Sequence, residues 1–381
     1  MTHNSGGSRP FVLGAVIAIP AVFAMALGLT YPLLAIILKG QGVSSTLIGL
    51  NTAMTPLGII VSAPFIPWVA RRFSAWRVAL TCALLTALLL FAIGAWRNVW
   101  FWFPLRFVLG ASIDSLFVIS ETWLLQLAGS QHRGKLVGLY GTSLASGFAL
   151  GPFVLSATGS EGWAGFGAGL VVMLLTAACL LMVRGKVPEQ SLSDKTSIAE
   201  FARLAPFLLL VVGVIACFDQ VALSMLPVYL LDFGMSEARV SFAIGVLVAG
   251  NIVLQYPIGW LSDKVPRRQV MLVCLLLVLG CTASLHYALG SIYFWPVLFV
   301  LGASGFGIYT VVLAEMGDRF DGAMLLAGNA AFALMWGVGG IVGPPMTGSA
   351  MDLIGGVGLP LSLIAVFLLL LVAMLAARGR S

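Results

Sequence analysis

Residues 103–112 read Phe-Pro-Leu-Arg-Phe-Val-Leu-Gly-Ala-Ser, and residues 295–304 read Trp-Pro-Val-Leu-Phe-Val-Leu-Gly-Ala-Ser. Seven of the ten positions are identical, at an offset of 192 residues, which is close to half of the chain. At the same offset Gly42 matches Gly234, and Trp68 matches Trp260. Self-similarity at a fixed offset indicates an internal repeat. The sequence therefore predicts two related halves.

The composition around this repeat excludes a soluble globular protein. Of the 381 residues, 60% are hydrophobic and only 9% are charged, and the mean hydropathy is +1.06. Soluble domains have about 25% charged residues. Stretches such as residues 78–94 are apolar on every face, whereas the strands of membrane barrels alternate polar and apolar residues. We therefore expect an all-α protein that crosses the lipid bilayer many times.

Apolar windows of about 20 residues, the length that spans a bilayer, divide each half into six predicted helices. One sizeable polar segment, residues 184–205, separates the halves as a cytoplasmic linker, which gives an N-terminal half of residues 1–183 and a C-terminal half of residues 206–381. The twelve predicted spans are 11–38, 45–70, 77–95, 99–127, 136–158, 163–183, 206–232, 237–261, 270–288, 292–316, 323–350 and 356–377.

The placement of the basic residues predicts the orientation, because Lys and Arg are concentrated in cytoplasmic loops. With both termini inside, only Lys39, Arg97 and Arg239 lie in outer loops. We therefore interpret the formal charge of +6 as a topology signal, not as a nucleic-acid surface, and we expect a multi-pass protein of the bacterial inner membrane. The sixteen inner basic residues are Arg9, Arg71, Arg72, Arg77, Arg133, Lys135, Arg184, Lys186, Lys195, Arg203, Lys264, Arg267, Arg268, Arg319, Arg378 and Arg380.

The turn after the eighth span carries the sharpest motif, Gly-Trp-Leu-Ser-Asp-Lys-Val-Pro-Arg-Arg at residues 259–268. It resembles the loop signature Gly-x-Leu-x-Asp-Arg/Lys-x-Gly-Arg-Arg of the major facilitator superfamily, with Pro266 in place of Gly. An acid at a helix end beside basic residues can lock one conformation and release it when the halves rock. Simple anchoring by positive charge is the alternative, and the first half has Arg71 where Asp263 stands. The predicted latch consists of Gly259, Asp263, Lys264, Arg267 and Arg268.

The fourth span carries three charged residues. Arg106-Phe-Val-Leu-Gly110 is similar to the fourth-helix Arg-x-x-x-Gly signature of the same superfamily, and the resemblance implies proton coupling. Asp114 and Glu121 are seven residues apart and therefore share a helix face. A polar stripe through the membrane suits a proton path. A structural charge network, or an Arg106 side chain that extends to the outer surface, is the alternative.

A shorter match points to a subgroup of the superfamily. Glu121-Thr-Trp123 followed by Arg133-Gly134 resembles proteins typified by an uncharacterised enterobacterial transporter, in which Glu-Ser-Trp is usual. In the seventh span, Asp219 is a further coupling candidate, whereas Glu315 is expected to pair with Arg319 one turn later. Ordinary packing is at least an equal alternative for the predicted substrate-cavity residues Tyr31, Asn51, Tyr140, Asn251, Gln255, Tyr256, Asn329 and Trp336.

The fifth span has the spacing Gly-x8-Gly-x3-Gly-Pro from Gly138 to Pro152, which is similar to the antiporter signature of drug exporters. Small residues and proline allow close helix contact and bending. Because the eleventh span repeats this pattern, we interpret the Gly and Pro spacing as a hinge common to both halves. The spacing therefore favours an efflux function only weakly. The predicted hinge residues are Gly147, Gly151, Pro152, Gly339, Gly343 and Pro344.

Some relatives of this subgroup import copper, but no two of the 14 Met residues are four apart and His286 has no Met four residues later. We predict no metal site, no cofactor and no enzymatic activity, since no nucleotide-binding, zinc or nucleophile motif occurs. The sequence predicts a monomeric secondary transporter that moves a small organic solute of vitamin or metabolite type, coupled to protons, by alternating access. A proton-driven multidrug antiporter is the main alternative; a copper importer and a sensor or enzyme on a transporter scaffold are weaker ones.

Overall fold

A computed structural model of the chain describes residues 9–127, 133–187 and 198–376, so that Lys195, Arg378 and Arg380 lie outside the described residues. Within these ranges the protein consists of fourteen α helices and one 3-10 turn. The elements are α1 (Arg9–Gly40), α2 (Ser45–Ser62), α3 (Ile66–Phe73), α4 (Ala75–Ala95), α5 (Val99–Leu127), α6 (Arg133–Thr158), α7 (Ala164–Met182), α8 (Ile198–Leu204), α9 (Pro206–Asp232), α10 (Glu237–Lys264), α11 (Arg267–Ala288), α12 (Phe294–Arg319), α13 (Gly322–Ile354), the 3-10 turn (Gly355–Val357) and α14 (Gly358–Ala376).

The length and composition of the helices confirm a multi-pass, helical membrane protein. In the described ranges, ten stretches are long and apolar enough to cross a bilayer. One of them, Ala327–Ala376, is 50 residues long and contains most of α13 and all of α14. In lipid every backbone polar group must be paired internally, and helices achieve this within each segment. The exact number of twelve spans stays a prediction.

The structure corrects the prediction of one continuous span over residues 45–70. Helix α2 ends at Ser62, a turn follows, and α3 begins at Ile66 and ends at Phe73. Proline causes this break, because Pro64 has no N–H to continue the helix of α2, and Pro67 occupies the first turn of α3, where a missing N–H costs little. The short α3 places Arg71 and Arg72 in its last turn.

The chain divides into two compact units. The first contains residues 1–33 and 57–193, and the second contains residues 34–56 and 194–381. The division after residue 193 falls within the predicted linker, whereas residues 34–56 group with the second unit. In the first unit α4 packs against α5 and α7, and in the second unit α9 packs against α13 while α10 and α11 pack against α12.

Two glycines make matching close approaches, one in each unit. An ideal Cβ at Gly58 would lie 2.0 Å from the carbonyl oxygen of Phe107, and one at Gly250 would lie 2.0 Å from that of Phe299. Both pairs are related by the same offset of 192 residues, and both phenylalanines belong to the repeated stretch. Only glycine allows these helices to approach so closely. The internal repeat therefore extends to the packing within each unit.

Candidate functional site

In the first unit, a buried arginine lies against an aromatic ring. Arg106 of α5 is only 1% exposed, and its guanidinium carbon lies 5.4 Å from the centre of the Tyr31 ring of α1. A guanidinium over an aromatic face is attracted by the negative face of the ring, and the attraction grows when both are removed from water. The structure therefore places two sequence-predicted residues, one on each helix, in direct contact.

The two acids of α5 have different environments. Asp114 is buried, and its Oδ2 accepts a hydrogen bond of 3.3 Å from the hydroxyl of Ser62 at the end of α2. Glu121 is exposed, two turns further along the same face. Nearby on α6, the hydroxyl of Tyr140 shares a hydrogen bond of 3.0 Å with Ser120. The predicted polar stripe thus contains one buried acid, Asp114, and one acid that solvent can reach, Glu121.

The second unit has its own buried acid, on α9. Asp219 and Gln220 are 6% and 8% exposed, and Gln220 Nε2 donates a hydrogen bond of 3.1 Å to Asp219 Oδ2. The Oε1 atom of Gln220 is buried and has no hydrogen-bond partner among the described residues. Buried polar atoms are nearly always paired with protein or water, so this oxygen is an acceptor available to a water molecule or a solute.

The predicted cavity residues differ in exposure. Tyr31, Asn51 and Tyr140 are buried, and Asn251 and Trp336 are half-buried. Gln255, Tyr256 and Asn329 are exposed, and Tyr256 is 81% exposed. Trp336 packs edge-on against Tyr309, at 5.6 Å between ring centres. Their role as cavity residues stays a prediction.

The predicted latch forms contacts with α12 and α14. Arg267 pairs with Asp318 of α12 at 2.7 Å, and Arg268 donates a hydrogen bond to the carbonyl oxygen of Met374 in α14. The Lys264 ammonium lies 3.9 Å from the centre of the Trp260 ring. The predicted acid of the latch, Asp263, is exposed and makes no ion pair with any described residue.

One ion pair that the sequence predicts is present in the structure, next to the latch. Glu315 pairs with Arg319 one helical turn later, at 2.5 Å, which confirms the expected ion pair within α12. Gly259, the first residue of the latch motif, lies at ordinary contact distance from Thr310, because an ideal Cβ there would be 3.6 Å from the Thr310 methyl group.

The predicted hinge glycines are positions of close helix packing. An ideal Cβ at Gly147 would lie 1.9 Å from the carbonyl oxygen of Ala21, and one at Gly339 would lie 2.6 Å from that of Gly213. These two pairs again differ by 192 residues. Gly151 and Gly343 make similar approaches to α1 and α9. Pro152 and Pro344 are buried within α6 and α13, respectively. Bending of the helices at these positions stays a prediction.

The sequence analysis missed a set of polar contacts in the second unit. The Asp352 carboxylate, near the end of α13, accepts hydrogen bonds from the backbone nitrogens of Ser45 and Thr46, at 2.9 and 2.8 Å. Lys39, in the last turn of α1, pairs with Asp232, the last residue of α9, at 2.5 Å. The available signal was the position of Lys39 and Asp352 at helix ends, because a cation complements the end of its own helix and a carboxylate can complement the start of a neighbouring one.

Close backbone approach accompanies these contacts. An ideal Cβ at Gly49 of α2 would lie 2.3 Å from the carbonyl oxygen of Pro344, and one at Gly348 of α13 would lie 2.2 Å from that of Ser45. The hydroxyls of Thr46 and Ser349 are 3.5 Å apart. We call this set of contacts between Lys39–Gly49 and α9 or α13 the terminal clamp. In the described ranges, no three His, Cys, Asp or Glu residues lie close enough together to hold a metal ion.

Comparison with known proteins agrees with this architecture. The family model described as "Major Facilitator Superfamily" matches residues 16–344, and again residues 208–380. The chain is 27% identical over 338 residues to the uncharacterised MFS-type transporter YfkF of Bacillus subtilis, covering 85% of each chain. It is 28% identical over 343 residues to the uncharacterised MFS-type transporter YcaD of Escherichia coli, covering 87% of this chain and 86% of that one.

Two solved structures have the same fold. A bacterial homologue of the human lysosomal transporter Spinster, in an inward-facing and unoccupied conformation, superposes with a TM-score of 0.79 at 15% identity, over 98% of each chain. The nucleoside transporter NupG superposes with a TM-score of 0.77 at 13% identity, over 97% of this chain and 98% of that one.

The apolar helices define a polytopic helical membrane protein, and the family match and the curated relatives identify it as a membrane transporter. The chain belongs to the Major Facilitator Superfamily, and it resembles the YcaD-like proteins within it.

Proposed function

We propose that the protein is a secondary active transporter that moves a small organic solute together with protons, by alternating access. The observation that carries this proposal is the burial of Arg106, Asp114 and Asp219 within apolar, membrane-length helices. A charge inside the bilayer is costly, and ionisable residues there mark solute or proton pathways by default. Asp114 and Asp219 are acids that can take up and release a proton.

The repeat indicates which of these residues the fold itself needs. At the positions 192 residues away, Arg106 is matched by Leu298, and Leu298 is fully buried in α12. An apolar residue therefore fills the equivalent place in the other unit, and the packing of this region does not require an arginine. This contrast supports a role of Arg106 in binding or coupling.

The terminal clamp supports alternating access. It consists of one ion pair, charge-assisted hydrogen bonds to backbone N–H groups, and close contacts at Gly49 and Gly348. Such contacts are discrete and can break and re-form as a unit, as a two-state transition requires. We infer that the clamp closes one end of the transport path, and that it opens when the other end closes.

The arrangement in the membrane belongs to the same proposal. We infer twelve spans in two six-helix halves, residues 1–183 and 206–381, with residues 184–205 and both termini on the cytoplasmic side of a bacterial inner membrane. The distribution of the Lys and Arg residues supports this orientation. We expect the protein to act as a monomer.

Multidrug efflux is the second candidate, because α6 carries the antiporter-like Gly and Pro spacing. The structure gives this spacing a packing role in α6 and α13 alike, since Gly147 and Gly339 make equivalent helix contacts. A pattern present in both repeats is explained by the fold. We therefore favour a defined metabolite over a range of drugs.

Thermal stabilisation of the purified protein tests the proposal, because a compound that binds the folded state raises its apparent stability by mass action. The panel contains vitamins, nucleosides, amino acids, sugars, metal ions and cationic drugs. Stabilisation by one vitamin or metabolite class is expected, with uptake of that compound into proteoliposomes under a proton gradient. Stabilisation by several unrelated lipophilic drugs alone would favour efflux, and uptake without dependence on the proton gradient would contradict proton coupling.

A further inference from the structure

Gln220 lies between the buried acid Asp219 and the helices that form the terminal clamp. Its Nε2 atom donates a hydrogen bond of 3.1 Å to Asp219 Oδ2. Its Cγ atom lies 3.2 Å from the position of an ideal Cβ at Gly340 of α13, and two side-chain atoms of Pro56 of α2 lie 2.9 Å from the same position. One side chain therefore bonds to the acid and also packs at the point where α2 meets α13.

Close contacts continue along α2 and α13 from this point to the clamp. In each contact one of the two partners is a glycine, and the pairs are Pro56 with Gly340, Gly49 with Pro344, and Ser45 with Gly348. Helices that approach so closely have no long side chains between them to absorb a displacement, and packed interiors transmit strain. A change in packing at Gly340 is therefore expected to reach the clamp.

The charge of Asp219 is remote from the other charges of the second unit. Asp219 lies thirteen residues from Pro206 and thirteen from Asp232, the two ends of α9. Each distance corresponds to about 20 Å along the helix. On the helices that pack against α9, the charged residues lie within two turns of a helix end, and α14 has none. They are Glu237, Arg239, Asp263 and Lys264 on α10, Glu315, Asp318 and Arg319 on α12, and Asp352 on α13.

The uncharged titratable groups nearby have other contacts. Cys217 of α9 packs against Gly343, and Tyr309 of α12 packs against Trp336. Among the described residues, Gln220 alone forms a hydrogen bond with the Asp219 carboxylate. The hydrogen bonding of Gln220 is therefore what changes first when the charge of Asp219 changes.

The hydrogen bond between the two residues has a different form for each protonation state of the acid. An ionised carboxylate only accepts hydrogen bonds, so the amide nitrogen of Gln220 faces it, and Gln220 Oε1 stays buried without a partner among the described residues. A protonated carboxyl group donates, and Oε1 can accept its proton once the amide has turned over. The turn replaces a charge-assisted hydrogen bond by a weaker, neutral one.

From these observations we propose that Gln220 is the positioning residue that transmits the protonation state of Asp219 to the terminal clamp. While Asp219 is ionised, the hydrogen bond holds Gln220 against Gly340 and favours the closed clamp. Protonation of Asp219 turns the amide, loosens the packing at Gly340 and favours the open clamp. This inference rests on the proposed proton coupling through Asp219, and it adds the path by which the acid acts on the clamp.

Closure of the clamp can be measured without a solute, by oxidative cross-linking of Thr46→Cys with Ser349→Cys, because the replaced hydroxyls are 3.5 Å apart. The full-length protein without its five native cysteines carries this pair. Thiol oxidation itself depends on pH, so each rate is divided by the rate of the same protein with Asp219→Asn at the same pH. We expect a ratio of about five at high pH, where the charge-assisted hydrogen bond forms, and a fall to about one at low pH.

Gln220→Met keeps an unbranched stem but has no amide, and its ratio should stay near one at every pH. Ser224→Ala is the matched control, because Ser224 is buried one turn further along α9 and bonds to the carbonyl oxygen of Gln220, not to its amide. This control should keep the response to pH. Gln220→Asn, whose amide is one methylene closer to the backbone, should also lose the response, and it serves if Gln220→Met does not fold.

Each outcome separates this inference from the proposed function. A response to pH that persists in Gln220→Met and Gln220→Asn would overturn the role of Gln220 and leave proton coupling by Asp219 standing. Loss of the response in Ser224→Ala as well would also overturn it, since any disturbance of α9 would then suffice. A ratio that does not change with pH in the parent protein would overturn the link between Asp219 and the clamp, whereas solute accumulation tests coupling by Asp219 independently.

Discussion

The Oδ2 atom of Asp352 lies 2.8 Å from the backbone nitrogen of Thr46, in the first turn of α2. The first N–H groups of a helix have no partner within the helix, and the positive end of the helix dipole favours a carboxylate there. A single side chain of α13 thus holds the start of α2. The clamp that it forms with Lys39 and Asp232 can be tested without knowing the solute.

The first prediction is that a disulfide can lock the clamp. Thr46→Cys with Ser349→Cys, in a background without the five native cysteines, should cross-link on mild oxidation, because the replaced hydroxyls are 3.5 Å apart. The locked protein should lose net transport, and a reducing agent should restore it. Thr46→Cys alone should show neither effect. Full transport by cross-linked protein would show that the clamp does not open in the cycle.

Removing the charge of Asp352 should weaken the clamp. Asp352→Asn keeps the shape of the side chain but loses about 1 kcal/mol of interaction with the end of α2, which corresponds to about a fivefold change in the population of the closed clamp. We expect slower cross-linking of the Thr46→Cys, Ser349→Cys pair. The exposed acid at the start of α13 provides the control variant, Asp321→Asn. An equal cross-linking rate in both variants would contradict a role of the carboxylate.

The repeat predicts that alanine substitutions at equivalent glycines destabilise the protein by similar amounts. Gly58→Ala and Gly250→Ala each introduce a methyl group 2.0 Å from a backbone oxygen, so each helix pair must separate. Overpacking of this kind costs about 1–3 kcal/mol. Both variants should lower the midpoint of thermal unfolding by similar amounts. Gly280→Ala, where nothing lies within 4 Å, serves as the control and should be neutral or slightly stabilising.

The contact between Arg106 and Tyr31 predicts that the aromatic ring of Tyr31 stabilises the folded protein. Tyr31→Phe keeps an aromatic face under the guanidinium and should be more stable than Tyr31→Leu, which removes about 1–2 kcal/mol of cation–π attraction in this buried setting. Thermal unfolding in detergent measures the difference. If the two variants are equally stable, the ring face does not hold Arg106.

The sequence predicts most helix positions well because a membrane span is a local property. Apolar runs such as residues 206–232 and 99–127 coincide with α9 and α5. The break after Ser62 does not show in the hydropathy because residues 63–70 remain apolar, and only Pro64 and Pro67 mark it. A window of hydropathy does not detect a change of backbone direction.

In the candidate site, too, local contacts could be predicted from the sequence and contacts between distant residues could not. The ion pair of Glu315 with Arg319 could be predicted, because residues four apart on a helix are neighbours. Asp352 and Thr46 are 306 residues apart, and only the packing of α2 against α13 brings them together. The sequence is compatible with a buried Arg106 and with one that extends to the outer surface, and only the three-dimensional packing shows that it is 1% exposed.

The central claim, that a buried acid couples proton movement to solute movement, is tested most directly with Asp219→Asn. With a compound identified by thermal stabilisation, we predict that proteoliposomes with this variant still exchange labelled for unlabelled solute but no longer accumulate it under a pH gradient. Retained exchange shows that the variant folds and binds. Asp321→Asn should accumulate solute normally. Accumulation by Asp219→Asn at the unmodified protein's rate, driven by the pH gradient, would contradict the account.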